Sequence, residues 1–189
     1  MTNPQQIKVL GISGSLRRKS YNTLVLQTAC SLAPEGMTIA TTEIGNLPHY
    51  NDDIREQGYP AEVIRFRELV AAADAVLFVS PEYNYSIPGV LKNAIDWASR
   101  APDQPFNGMP IAIMGASGGL LGTARAQYQL RQMLVFLNAF PLNKPEVMIG
   151  QAASKFSDEG ALHDEPTRKM VRELLDALLA WTQLLRSGR

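Results

Sequence analysis

The run Ala75-Val76-Leu77-Phe78-Val79 contains no polar residue and is bracketed by Asp74 and Ser80. A strand with one solvated face alternates apolar and polar residues. One without alternation is covered on both faces, as in a parallel sheet between two layers of helices. The same theme recurs along the chain. Residues 7–12 and 111–115 are further apolar strands, 37–44 is a threonine-rich one, and 143–149 completes the set. Between them the apolar residues repeat with helical spacing, over 21 to about 32, 60 to about 72, 88 to about 98, and from a glycine cluster at 117–122 to about 139. A last helix from about 167 to 185 places Val171, Leu174, Leu175, Leu178, Trp181 and Leu185 on one face. Residues 151–165 are polar and read as an irregular surface loop.

Five strands alternating with five helices, without repeat or linker, predict one doubly wound α/β domain over 1–189. Right-handed crossovers favour a flavodoxin-like, three-layer arrangement of five parallel strands in the order 2-1-3-4-5. Ligand then binds outside the carboxyl ends of strands one and three.

Three unusual loops are expected at that edge. The first, Gly11-Ile12-Ser13-Gly14-Ser15-Leu16-Arg17-Arg18-Lys19-Ser20-Tyr21-Asn22, turns from strand to helix. Backbone N–H groups and the positive end of the helix converge there. Ser15, Ser20 and Asn22 add donors, and Arg17 can clamp an anion with its planar fork. Phosphate is the natural ligand; without one, the loop is a solvated turn with Ser20 as N-cap. It is neither a Walker A loop nor a Gly-x-Gly-x-x-Gly fingerprint. The second loop, 81–87, holds Pro81, Glu82, Tyr83, Asn84 and Tyr85, a stiff wall suited to a flat heteroaromatic ring; the alternative is a rigid turn with tyrosines as core filler. The third carries Ser117, Gly118 and Gly119, where a backbone can approach a ring edge closely. Phosphate at one end and a flat polar ring at the other describe FMN.

Composition narrows the function classes. The 189 residues are 46% hydrophobic with zero formal net charge, which argues for a globular protein and against nucleic-acid binding. The lone Cys30 can form neither an internal disulfide nor a metal site and is expected to be buried and structural. Residues 1–6 lack the apolar core of a signal peptide, and no run reaches the ~20 apolar residues of a membrane span. A cytoplasmic location without membrane association is the expectation.

Three stretches resemble the NADPH-dependent FMN reductase family, and within it the chromate/quinone reductase branch. They are Gly14-Ser15-Leu16-Arg17-x-x-Ser20-x-Asn22, Pro81-Glu82-Tyr83-Asn84-Tyr85-Ser86-x-Pro88-Gly89-x-Leu91-Lys92-Asn93-Ala94-Ile95-Asp96-Trp97, and Ser117-Gly118-Gly119. The resemblance implies that Ser15, Arg17, Ser20 and Asn22 hold the FMN phosphate. It implies that Pro81, Glu82, Tyr83, Asn84 and Tyr85 border the ribityl chain and ring, with Ser117, Gly118 and Gly119 facing the ring edge. It further implies NADPH or NADH as hydride donor, and quinones, chromate or azo dyes as acceptors. A homodimer or homotetramer is also implied. Trp97, Arg100, Arg125 and Tyr128 are expected at such an interface. The flavin carries the chemistry, so no catalytic side chain is assigned; His49 and His163 are expected to be solvated. The rival reading is a one-electron carrier of the same fold, which would be expected to show a strongly one-signed docking surface. A flavin-free signalling receiver would need acidic residues where Ser13 and Ser15 stand.

Overall fold

The computed structural model describes residues 6–188. The elements in order are β1 (Ile7–Ser13), α1 (Tyr21–Ser31), β2 (Met37–Thr42), α2 (Asp52–Glu56), α3 (Ala61–Ala71), β3 (Ala75–Val79), α4 (Gly89–Ala98), β4 (Pro110–Ala116), α5 (Ala124–Phe136), β5 (Phe140–Pro141), β6 (Val147–Ile149) and α6 (Glu165–Ser187). A short 3-10 turn spans Ala152–Lys155. The strands form one parallel sheet in the order β2-β1-β3-β4-β5, with β6 also paired to β4.

The apolar runs hide an alternation that only the packing reveals. Leu10, Ile12, Val76, Phe78, Ile111 and Ile113 pack under α3, α4 and α5. Val9, Leu77, Val79, Ala112 and Met114 face α1 and α6. Successive side chains in a strand point to opposite faces, so covering both faces needs continuous apolar sequence. Burying each large aliphatic side chain contributes about 1.5–3 kcal/mol. Asp164 starts α6 by accepting hydrogen bonds from the Thr167 N–H at 3.0 Å and the Thr167 hydroxyl at 2.5 Å. Those bonds, with Lys155, hold its carboxyl at about 2, below the usual carboxylate range.

The sequence expectation and the structure differ in five places. Residues 151–165, expected as a surface loop, bury Ala152, Phe156 and Leu162 in the core shared by α1 and α6. The fifth strand is split: β5 pairs with Pro110 and Ile111, and β6 with Met114–Ala116. Pro141 and Pro145, which cannot donate to a ladder, flank the gap. The polar stretch at 52–56 forms the extra helix α2, with Asn51 as N-cap. Cys30 is partly rather than fully buried, and desolvation raises its thiol pKa. Trp97 lies on no exposed face: it is completely buried, edge-on to Tyr50 and Tyr59.

That last difference exposes a clip. The indole N–H of Trp97 donates to the Pro48 carbonyl at 2.8 Å. Asn93 Nδ2 donates to the same carbonyl at 2.8 Å, and its Oδ1 accepts from the Tyr50 N–H at 2.7 Å. Two residues of α4 thus fix the loop that leaves β2. Trp97→Ala is expected to lower stability by about 3–5 kcal/mol, as cavity formation adds to the lost transfer energy. Denaturant unfolding monitored by circular dichroism measures it.

Candidate functional site

Because every strand is parallel, the loops after β1, β2, β3 and β4 all leave at one edge of the sheet. The backbone sews them together. The Gly14 N–H donates to the Val79 carbonyl at 2.9 Å, and the Ser80 N–H to the Met114 carbonyl at 3.1 Å. The first contact requires glycine, because a Cβ on Gly14 would come within 2.6 Å of Ser80 Oγ.

Asn22 ties the first loop to the third. It is 3% exposed; its Nδ2 donates to the Ala116 carbonyl at 2.9 Å and its Oδ1 accepts from the Ala116 N–H at 2.8 Å. The side chain expected at the phosphate is therefore committed to the end of β4. Ser20 is the N-cap of α1, its hydroxyl accepting from the Asn22 N–H at 3.2 Å. Ser15 Oγ accepts from the Arg17 N–H at 3.3 Å, and Ser13 shares a 3.0 Å hydrogen bond with Thr23. The Arg17 guanidinium donates to the Lys19 carbonyl at 2.6 Å and lies over the Tyr21 ring. The first turn of α1 carries no acidic residue. A turn with exposed cations, a helix N-terminus and no opposing carboxylate in that first turn suits a dianion.

The 81–87 loop is a tight hairpin. Tyr83 and Ser86 exchange both backbone hydrogen bonds at 2.9 Å. Asn84 and Tyr85 between them have φ of 50° and 67°, as a two-residue type I′ connection demands. Asn tolerates this region; an aromatic residue does not, and such strain costs about 1–3 kcal/mol. The offsetting contacts come from α5. Gln129 Nε2 donates to the Tyr85 carbonyl at 2.9 Å, and the Ser86 hydroxyl donates to Gln129 Oε1 at 2.5 Å. The Arg125 guanidinium lies 3.7 Å from the Tyr85 ring centroid. Tyr83 and Tyr85 are 51% and 64% exposed, so neither is core filler.

The Glu82 side chain reaches the start of α5. Its carboxylate accepts from the backbone N–H groups of Arg125 at 3.0 Å and Ala126 at 3.2 Å and pairs with the Arg125 guanidinium at 2.5 Å. It thereby caps α5 and holds the cation that stacks on Tyr85. Arg125 and Gln129 as hairpin supports were missed in the sequence, because nothing there links them to residues some 40 positions earlier. Pro81 is buried at the head of the hairpin.

The third loop is held by the segment after β6. Ser117 N–H donates to the Ile149 carbonyl, Gln151 N–H to Gly119 and Ala152 N–H to Ser117, each at 3.0 Å. The Ser117 hydroxyl donates to the Gly122 carbonyl at 2.5 Å. The spaces a Cβ would enter at Gly118 is clear of other atoms to 4 Å, so that backbone is bare on one side. Beyond these loops, the Tyr50 phenol donates to Asp52 at 2.7 Å, which raises the phenol pKa, while the Arg55 hydrogen bond holds the Asp52 carboxyl below its ordinary value.

Residues 7–154 match the model of the family described as NADPH-dependent FMN reductase. The chain belongs to that family. It is 58% identical over 180 residues to NAD(P)H-dependent FMN reductase PA1204 of Pseudomonas aeruginosa, covering 95% of this chain and 97% of that protein. It is 46% identical over 166 residues to a quinone reductase of Escherichia coli, covering 86% and 88%. The solved structure of FerB, a flavoenzyme NAD(P)H:(acceptor) oxidoreductase from Paracoccus denitrificans, superposes with a TM-score of 0.85 at 37% identity, covering 94% and 97%. The site fits FMN on its own chemistry: a cationic turn for the phosphate, a bare glycine backbone, and two exposed tyrosines on a braced hairpin. Among the described residues no helix is long and apolar enough to cross a membrane.

Arg17 and Asn22 separate binding from framework. Arg17→Ala is expected to weaken FMN about ten- to a hundredfold while the protein stays folded, since a charge-assisted contact contributes about 1.5–3 kcal/mol. Asn22→Ala strands the Ala116 N–H and carbonyl and is expected to cost about 2–3 kcal/mol of stability. Flavin titration and thermal melts of both variants check the contrast; an Arg17→Ala protein with unchanged FMN affinity removes Arg17 from the site.

Proposed function

We propose that this protein is an FMN-dependent NAD(P)H oxidoreductase that reduces quinones, built as one FMN-binding domain over 1–189. The observation that carries the reading is the braced hairpin facing a cationic phosphate turn across one sheet edge. Bound FMN supplies the two-electron relay between donor and acceptor. In this reading Ser15, Arg17 and Ser20 hold its phosphate, with Asn22 fixing the frame from below. Tyr83, Asn84 and Tyr85 form one wall of the ring site, positioned by Pro81 and Glu82, and Ser117, Gly118 and Gly119 form the other. Relatives named quinone reductase, including the Escherichia coli protein, support quinones as the acceptors. Chromate is a poorer fit: it takes three electrons, and no residue at the site accounts for the odd one.

The zero net charge counts against a one-electron carrier. Steady-state NADPH oxidation by the purified protein with a quinone separates the two readings, because a carrier does not turn over unaided. Donor and acceptor must use the same open ring face beside Tyr85, so the oxidised nucleotide leaves before the quinone enters. Initial rates over a grid of NADPH and benzoquinone concentrations are expected to give parallel double-reciprocal lines. Intersecting lines contradict a shared face.

A homodimer or homotetramer and a cytoplasmic location belong to the same reading. On α5, Tyr128, Val135 and Phe136 are exposed along one stripe, at 55%, 75% and 85%. Apolar and aromatic side chains so exposed mark an interface more often than a solvated face. Light scattering is expected to give at least twice the chain mass; a fully active monomer at micromolar concentration rules the assembly out.

A further inference from the structure

The turn after β4 carries two leucines that its own packing does not use. Leu120 and Leu121 directly follow Gly118 and Gly119, and they are 79% and 59% exposed. The turn is held by its main chain. The Ser117 N–H donates to the Ile149 carbonyl and the Ser117 carbonyl accepts from the Ala152 N–H, while the Gly119 carbonyl accepts from the Gln151 N–H, each at 3.0 Å. The Ala124 N–H donates to the Leu121 carbonyl at 3.3 Å. Glycine lets the two segments meet: a Cβ on Gly150 would collide with the Leu120 carbonyl, and one on Gly122 would come within 2.7 Å of the Met148 carbonyl carbon. The backbone of 117–122 thus lies against 148–152, and both leucine side chains are left in solvent.

We infer that Leu120 and Leu121 form an apolar ledge that receives a hydrocarbon substituent on the quinone, which makes alkyl- or prenyl-substituted quinones the preferred acceptors. The inference rests on the reductase reading above and names the acceptor class within it.

In that reading Gly118 and Gly119 line the ring edge, so the two leucines are what continues that wall outward. A quinone head on the open ring face beside Tyr85 has to let its substituent leave past one wall or the other. Past the hairpin the substituent meets the Asn84 amide and the phenols of Tyr83 and Tyr85, all exposed. Past the glycine turn it meets two adjacent isobutyl groups. A single exposed leucine is ordinary on a protein surface; two in succession at the rim of a site, with the turn held by backbone, call for an apolar neighbour. The patch is far smaller than the roughly 800 Å² per partner of a standard protein interface. Consecutive Cα atoms are about 3.8 Å apart, so the pair spans about the length of a short alkyl chain. A chain laid on it takes apolar surface of both partners out of water, and the gain grows with each methylene covered.

The test uses 2-methyl-, 2-propyl- and 2-pentyl-1,4-benzoquinone as acceptors at fixed NADPH, a series that varies apolar length while keeping one alkyl group on the ring. In the wild type kcat/KM is expected to rise about tenfold from methyl to pentyl, through KM. In the double variant Leu120→Ser/Leu121→Ser that pentyl-to-methyl ratio is lost, and Leu120→Met/Leu121→Met restores it. Calorimetric titration with 2-methyl- and 2-pentyl-hydroquinone reads the ledge without turnover: the pentyl compound binds the wild type about tenfold more tightly, and the serine variant loses the difference. A protein that oxidises NADPH with all of the quinones but shows no chain-length dependence, or the same dependence in the serine variant, overturns the ledge and leaves the reductase reading standing. A serine variant of lower mass by light scattering also overturns it, by assigning the leucines to a contact between copies. Chain-length-dependent hydroquinone binding that the serine variant loses, in a protein that oxidises no NADPH, upholds the ledge and contradicts the reductase reading instead.

Discussion

The paired hydrogen bonds between the Asn22 amide and the Ala116 backbone hold the binding edge together. They join the first turn of α1 to the last residue of β4, two elements 94 positions apart in sequence. The turn between β1 and α1 can present cations and backbone donors to a phosphate only if the start of α1 is fixed against the sheet. The glycine turn after β4 is fixed by the same contact. Buried hydrogen bonds of this kind are costly to break, because each stranded backbone group loses water as well as its partner. One side chain thus sets the distance between the two ends of the proposed flavin site.

The opposite wall is built on a different principle. The hairpin at 83–86 holds an aromatic residue in the left-handed region, which the local chain alone would not favour. It persists because α5 grips it through Gln129 and Arg125, and because Glu82 locks Arg125 in place. The strained aromatic residue, Tyr85, carries an exposed ring. Strain that is over-determined by its surroundings is a common mark of a functional position. Here it ties the hairpin to a helix whose outer stripe, Tyr128, Val135 and Phe136, is itself apolar or aromatic and exposed.

The layers and the strand order were legible because burial on both faces leaves an unmistakable continuous apolar run, as at 75–79. The three loops were legible because glycine, hydroxyl and aromatic residues clustered at predictable strand ends. Side-chain direction was not. Nothing in the sequence shows that the Asn22 side chain grips the end of β4. Glu82 likewise caps a helix more than forty residues away. Trp97 reads as an exposed helix residue until the loop after β2 is laid over it. The split fifth strand follows from two prolines that hydrophobic periodicity does not weigh. For Asn22, Glu82 and Trp97 the missing information is a long-range contact, which local pattern cannot carry.

The most direct measurement is the flavin content of the protein itself. Purified protein, saturated with flavin, desalted and then denatured, is expected to release one FMN per chain and no FAD, because the first loop offers one cationic turn for one phosphate. A colourless protein that takes up no FMN in titration, or one that releases FAD, contradicts the assignment of this edge as an FMN site.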